Sequence, residues 1–203
     1  MKKNLLLPII LLIGCFSAFS QPYQARLAAF RADYLKDLGG PQSPITKDDL
    51  KDVHFFEADS TYNVTASVEI LSNEKPFMMP SFSGEGKQFI RYARLNFTLH
   101  GRDLKLTLYK NIPAPGSTIP QEYLFLPFTD QTNSKETYGG GRYIDYTAAD
   151  IKDGRLNLDF NKAYNPYCAY STGYRCPVPP QENDLDLKII AGEKMFTGEK
   201  KHR

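Results

Sequence analysis

The stretch over residues 88–108 constrains this chain most. Phe89, Ala93, Leu95, Phe97 and Leu99 fall on one face together with Arg91, while Ile90, Tyr92, Arg94, Asn96 and Thr98 fall on the other. His100-Gly101-Arg102-Asp103 then turns the chain, and Leu104, Leu106 and Leu108 alternate back. A period of two on both sides of a glycine turn is the pattern of a β-hairpin, and a helix of period 3.6 would scatter these side chains around its axis.

The same period recurs elsewhere. Val64, Ala66, Val68 and Ile70 alternate with Asn63, Thr65, Ser67 and Glu69, which predicts a half-buried strand over 62–71. Residues 123–128 form an unbroken apolar run, the mark of a strand covered on both faces. A short strand is expected over 142–146. After a turn at Asp153-Gly154, Leu156, Leu158 and Phe160 face one way and Asn157, Asp159 and Asn161 the other. Residues 184–190 supply a last strand with Leu185, Leu187 and Ile189 inward. Residues 111–120 and 130–137 read as loops. The abundance of Phe (13) and Tyr (13), with 14 Gly and 14 Pro, fits strands joined by turns.

Two helical segments precede the strands. Tyr23, Leu27, Phe30, Tyr34 and Leu38 make one stripe of a helix over 22–38, which Gly39-Gly40-Pro41 ends. Thr46 and Asp49 form a capping pair for a short second helix, and Ile45 is placed to staple onto Leu50. The fold class expected is mainly β (α+β). It is an antiparallel β-sandwich or partly open β-barrel of seven or eight strands, with one or two N-terminal helices packed on it.

Residues 1–20 read as an export leader. Lys2 and Lys3 precede an apolar run over 5–13, which is far shorter than the ~20 residues that span a bilayer. Ala18-Phe19-Ser20 suits cleavage before Gln21, giving a soluble periplasmic or cell-surface protein. Leu12-Ile13-Gly14-Cys15 suits the alternative, a lipoprotein anchored at Cys15. The remainder is one domain over 21–193 with a basic tail over 194–203. Without Lys2 and Lys3, the 25 basic residues fall to 23, against 23 acidic ones. Such a balance gives no electrostatic footprint for nucleic acid. No transmembrane segment is expected, and membrane association only through a lipid on Cys15.

Chemistry-bearing residues crowd into residues 138–183. Three glycines over 139–141 separate Tyr138 from Arg142-Tyr143; their spacing fits neither a Walker loop nor a dinucleotide fingerprint, and a tight turn or bulge is the first reading. Cys168 and Cys176 are the two cysteines left after the leader, and an even pair in an exported chain reads first as a disulfide. Inert thiols or a reactive Cys168 are the alternatives. His54 and His100 have no partner at ligand spacing, so no metal and no cofactor is expected. No Ser-His-Asp, Cys-His or zincin pattern is present.

The motifs Leu124-Phe125-Leu126-Pro127-Phe128, the Tyr138–Tyr143 glycine turn, Leu158-Asp159-Phe160-Asn161, Ala163-Tyr164-Asn165-Pro166, Cys168-Ala169-Tyr170, Cys176-Pro177 and Glu182-Asn183, running on to Ala191-Gly192-Glu193, resemble the Domain of Unknown Function 1684 family over roughly residues 25–193. The resemblance implies a single domain of bacterial or archaeal type and implies no reaction. Tyr167 departs from it, since a second proline is usual there.

Three functional readings stay open. The first is a module binding a small molecule with an anionic or carbonyl group. Arg142, Tyr143, Asp159, Asn161, Tyr164 and Asn165 would line its site, with Tyr138 and Glu182 beside them. The second is a hydrolase or transferase with Asp159 or Glu182 as acid/base and Cys168 as nucleophile. In the third, the cluster is a fold staple: Arg142 pairs with Asp159 or Glu182, and Asp159 and Asn161 bond loop backbone.

Overall fold

The computed structural model describes residues 20–112 and 122–202. The leader, Cys15 and most of the loop expected over 111–120 lie outside the described residues.

The N-terminal stripe forms α1 (Ser20–Leu38). Gly39 closes its last turn by donating to the Leu35 carbonyl at 2.9 Å. Tyr23, Leu27 and Leu38 are buried and Tyr34 is half-buried. Phe30 remains 36% exposed because it borders a cavity rather than the core. The second helix is a 3-10 turn over Lys47–Asp52, with Thr46 N and Oγ1 donating to Asp49 at 2.9 and 2.7 Å, so the expected cap forms.

Among the described residues eight strands follow: β1 (Asn63–Ile70), β2 (Phe77–Met79), β3 (Lys87–Leu99), β4 (Arg102–Asn111), β5 (Tyr123–Asp130), β6 (Arg142–Thr147), β7 (Arg155–Asp159) and β8 (Asp184–Leu185). They form one curled half-barrel sheet in the order β6-β5-β4-β3-β1-β7, with β2 beside β3 and β8 beside β5. All pairings are antiparallel except β5–β8. Of the two architectures expected, the partly open barrel is the one formed. The last segment pairs over two residues rather than seven, yet Leu185, Leu187 and Ile189 are all buried as the alternation requires.

The β3–β4 turn is tighter than the sequence suggests. His100 and Gly101 have φ of 49° and 76°, the two positive values of a turn whose twist matches its strands, and Arg102 and Asp103 already belong to β4. A bulge also divides β3. Arg91 pairs with Tyr109 but Ala93 with Leu108, so Tyr92 is an extra residue. The faces therefore swap there. Ala93, Leu95, Phe97 and Leu99 join the main core with Leu106, Leu108, Leu124 and Leu126. Phe89 turns to the opposite face, against Met79, Tyr109, Phe125 and Tyr143. The expectation that Phe89 and Arg91 share the face of Ala93 is thus corrected. Each fully buried leucine contributes about 1.5–3 kcal/mol, so this register is strongly specified.

β5 is covered on both faces, as its apolar run predicts: Leu124, Leu126 and Phe128 enter the main core while Phe125 packs in the second cluster. Its Pro127 has no N–H for the ladder. The β4–β5 pairing stops at Tyr109–Phe125, and continuing its register would set Thr107 opposite Pro127 two positions further on. The Asn183 side chain occupies that gap. Its Oδ1 accepts from Thr107 N at 2.7 Å, and its Nδ2 donates to Thr107 O and Pro127 O at 2.8 and 2.7 Å.

Candidate functional site

The glycines over 139–141 are a turn. Gly141 has φ of 85°, donates to the Tyr138 carbonyl at 3.2 Å, and leaves a hypothetical Cβ only 2.6 Å from the Phe128 carbonyl oxygen. The turn delivers Arg142 into the main core, with no exposed surface. Its guanidinium pairs with Asp130 at 2.8 Å and donates to the carbonyls of Ile189 (2.9 Å), Ala191 and Glu193 (3.3 Å). Burial lowers its pKa, while Asp130 opposes that shift. The partner is therefore Asp130 rather than Asp159 or Glu182, and the two terminal nitrogens of the guanidinium fasten the C-terminal segment to β6, while the buried Nε has no partner.

The other expected site residues are also bonded inward. Asp159 accepts from the Tyr23 hydroxyl of α1 at 3.0 and 3.1 Å and from Asn161 N at 3.0 Å. Asn161 exchanges two bonds with the Asp59 backbone, at 3.1 and 2.8 Å. Asn165 donates its N–H to Glu193 at 2.9 Å and its amide to Lys194 O at 2.7 Å. Glu182 accepts from Arg91 (2.8 Å) and Tyr109 (2.5 Å). Burial pushes the Glu182 pKa up, but these donors and the Arg91 charge outweigh it and hold it low. Cys168 and Cys176 form the disulfide. Asp159, Asn161 and Asn165 thus act as fastenings between elements.

Glu193, which the sequence did not single out, is wholly buried. It accepts from the hydroxyls of Tyr34 (2.9 Å) and Tyr170 and from Asn165 N. Burial raises its pKa to about 7 against those three bonds.

The open space lies elsewhere, between α1, β5, β6 and the Tyr164–Pro177 region. A cavity of about 1320 Å³ is bordered there by Phe30 and Tyr34 of α1, Tyr123 and Phe125 of β5, Tyr143 and Asp145 of β6, and Tyr164. Tyr143 and Tyr164 are the two expected site residues that reach it; they are joined by backbone bonds of 2.9 and 3.0 Å. Tyr143 also donates its hydroxyl to Pro177 O, tying this wall to the disulfide loop.

Asp145 is the polar centre of the cavity. Tyr123 donates to one carboxylate oxygen at 2.7 Å and Tyr164 to the other at 2.8 Å. The side chain is exposed, but it opens into the cavity, where surrounding protein withholds much of its hydration. That burial raises its pKa, and the two hydroxyls oppose the rise. Burial and the Asp145 charge push the Tyr123 and Tyr164 hydroxyls well up, so both remain protonated donors. Among the described residues no Lys or Arg comes within 4.0 Å of Asp145. Lys87, Lys152, Arg155, Lys162 and Arg175 also border the cavity, and none of them contributes to the shift at Asp145.

The cue in the sequence was alternation. Tyr143 and Asp145 share one face of β6, opposite Arg142 and Ile144, and Tyr123 and Phe125 share the matching face of β5. Among the described residues, no group of three His, Cys, Asp or Glu side chains could hold a metal ion. No described helix is long and apolar enough to cross a membrane.

The solution NMR structure of an uncharacterized protein from Haloarcula marismortui is similar to this chain, with a TM-score of 0.68 and 29% identity, over 89% of this chain and 98% of that one. No curated protein matches the chain. The model of the family described as "Protein of unknown function (DUF1684)" matches residues 48–194, a span holding Tyr123, Arg142, Asp145, Tyr164 and Glu193. The chain belongs to the DUF1684 family.

Proposed function

We propose that this protein is a binding module for a small organic molecule, which it takes into the cavity between α1 and the β5–β6 face of the half-barrel. One observation carries the reading: a roomy, ring-lined cavity holds a carboxylate, Asp145, whose two oxygens are fixed by Tyr123 and Tyr164 while no Lys or Arg among the described residues pairs with it. Ligand sites are concave and mostly apolar, with a few placed polar groups, and this cavity has that composition. Arg142 is buried in the core and does not border the cavity, so the ligand group that the sequence assigned to it has no donor there. The leader pattern and the Cys168–Cys176 disulfide support an exported protein.

The test is a thermal-shift screen of the mature protein against a collection of small organic molecules, with hits mapped by NMR. A ligand at 100 times its Kd stabilises the folded state by about 2.7 kcal/mol. The expected result is a raised Tm with shift changes at Tyr123, Asp145 and Tyr164. A screen without a stabilising molecule, or hits that map instead to the surface around Asn96, Thr98 and Lys105, sinks the reading.

A further inference from the structure

We infer that the cavity takes an organic ammonium ion, an amine or quaternary nitrogen carrying an apolar body, with Asp145 as its counter-ion and the surrounding rings as its cage. This rests on the reading of the cavity as a ligand site and names the class of ligand.

The charge balance at Asp145 gives the first reason. A carboxylate that has lost hydration normally finds a cation in its own chain. Arg142 finds Asp130, Arg91 finds Glu182 and Lys188 finds Glu136, but among the described residues Asp145 has only hydroxyl partners. Two neutral donors hold the carboxylate in place without cancelling its charge. Each oxygen accepts one such bond and keeps a further acceptor position. An arriving ammonium supplies both the missing charge and the missing donors.

The walls give the second reason. Tyr164 stands edge-on to Tyr143, with centroids 5.9 Å apart and planes at 90°. Tyr143 stands at 72° to Phe125, at 4.7 Å. Tyr34 lies 5.9 Å from Tyr164, tilted by 43°. Packed on one another in this way, Tyr34, Phe125, Tyr143 and Tyr164 form one continuous aromatic wall beside Asp145. An aromatic wall attracts a cation where a ring face is open to it, most strongly once water is excluded. A carboxylate or phosphate held against Asp145 would meet its negative charge, because Lys87, Lys152, Arg155, Lys162 and Arg175 border the cavity without any Lys or Arg of the described residues coming within 4.0 Å of that carboxylate. The volume, about 1320 Å³, exceeds what an ammonium head needs, so the body of the ligand is apolar and lies along Phe30, Phe89 and Phe125.

Three probes of matched length separate the possibilities by calorimetry: 4-phenylbutyl-trimethylammonium, 4-phenylbutanol and 4-phenylbutyrate. The expected order is cation tightest, by tenfold or more over the alcohol, with the carboxylate weakest. Asp145→Asn should erase the preference for the cation and leave the alcohol unchanged. A wild-type pH series, independent of any variant's folding, should show cation affinity falling as Asp145 protonates while alcohol affinity stays level. If alcohol and cation bind equally, or the preference survives Asp145→Asn, the ammonium class is wrong and the cavity remains a ligand site. If the carboxylate binds tightest, the charge argument is reversed. If none of the three binds, both the class and the cavity reading fall.

Discussion

Arg142 and Asp130 meet at 2.8 Å with neither side chain open to solvent. Removing one partner of such a pair leaves the other charge buried and alone, at a cost of about 3–5 kcal/mol. Arg142→Ala should therefore lower stability by that amount in chemical denaturation, because it also strips donors from the carbonyls of Ile189, Ala191 and Glu193. Pairing Arg142→Met with Asp130→Leu should recover part of the loss. A single-variant loss below about 1 kcal/mol, the scale of an exposed ion pair, would contradict this account.

Glu193 makes stability fall toward alkaline pH. Its folded pKa of about 7 lies above the ordinary value of 4.5. Between those values the folded chain holds a proton that the unfolded chain has released, so raising the pH favours unfolding. The stabilisation is complete below about pH 4.5 and lost as the pH rises through about 7. At 1.36 kcal/mol per pH unit, roughly 3 kcal/mol is at stake. Urea denaturation at pH 5 and pH 8 should show the decline, and Glu193→Gln should remove most of it. A wild-type profile that is flat or rises over this window would refute the assignment.

Asn183 completes a ladder that Pro127 interrupts. Asn183→Leu would leave Thr107 N–H, Thr107 O and Pro127 O without their partner. Each unsatisfied buried group costs about 1–3 kcal/mol, so a loss of at least ~3 kcal/mol is expected. Hydrogen exchange gives a local readout: the Thr107 amide should lose protection far more than the Leu95 amide, which lies in the intact β3–β4 ladder. Equal changes at both would mean that Asn183 acts only through global stability.

These residues also show how much the sequence disclosed. Period-two patterns marked most strands because one face of each is covered, and the stripe from Tyr23 to Leu38 marked α1 for the same reason. The bulge at Tyr92 was hidden because Arg91 and Tyr92, each with an apolar stem and a polar tip, suit either face of a sheet. Arg142 looked like a site residue because a guanidinium between glycine and tyrosine gives no local sign of burial. Its acceptors lie in Asp130 and in residues 189–193, which only the fold brings near. Asp145 was passed over for the converse reason. A carboxylate in a short strand reads as solvent-facing, and its meaning comes from Tyr123, Tyr164 and Tyr34, which are distant in sequence.

The two phenols on Asp145 yield the last test. Each hydroxyl donates to the ionised carboxylate and so draws its pKa down against the rise that burial causes. Tyr164→Phe removes one donor and keeps the ring, its stacking area and the Tyr143–Tyr164 backbone bonds. The Asp145 pKa should therefore move up, read directly from the carboxyl carbon in a ¹³C NMR titration, and Tyr123→Phe should move it the same way. With both hydroxyls gone the rise should exceed that of either single variant, because each oxygen has its own donor. An Asp145 titration unmoved by both substitutions would mean that water, not the tyrosines, sets the charge of this carboxylate, and the fixed anion on which the ligand reading depends would be absent.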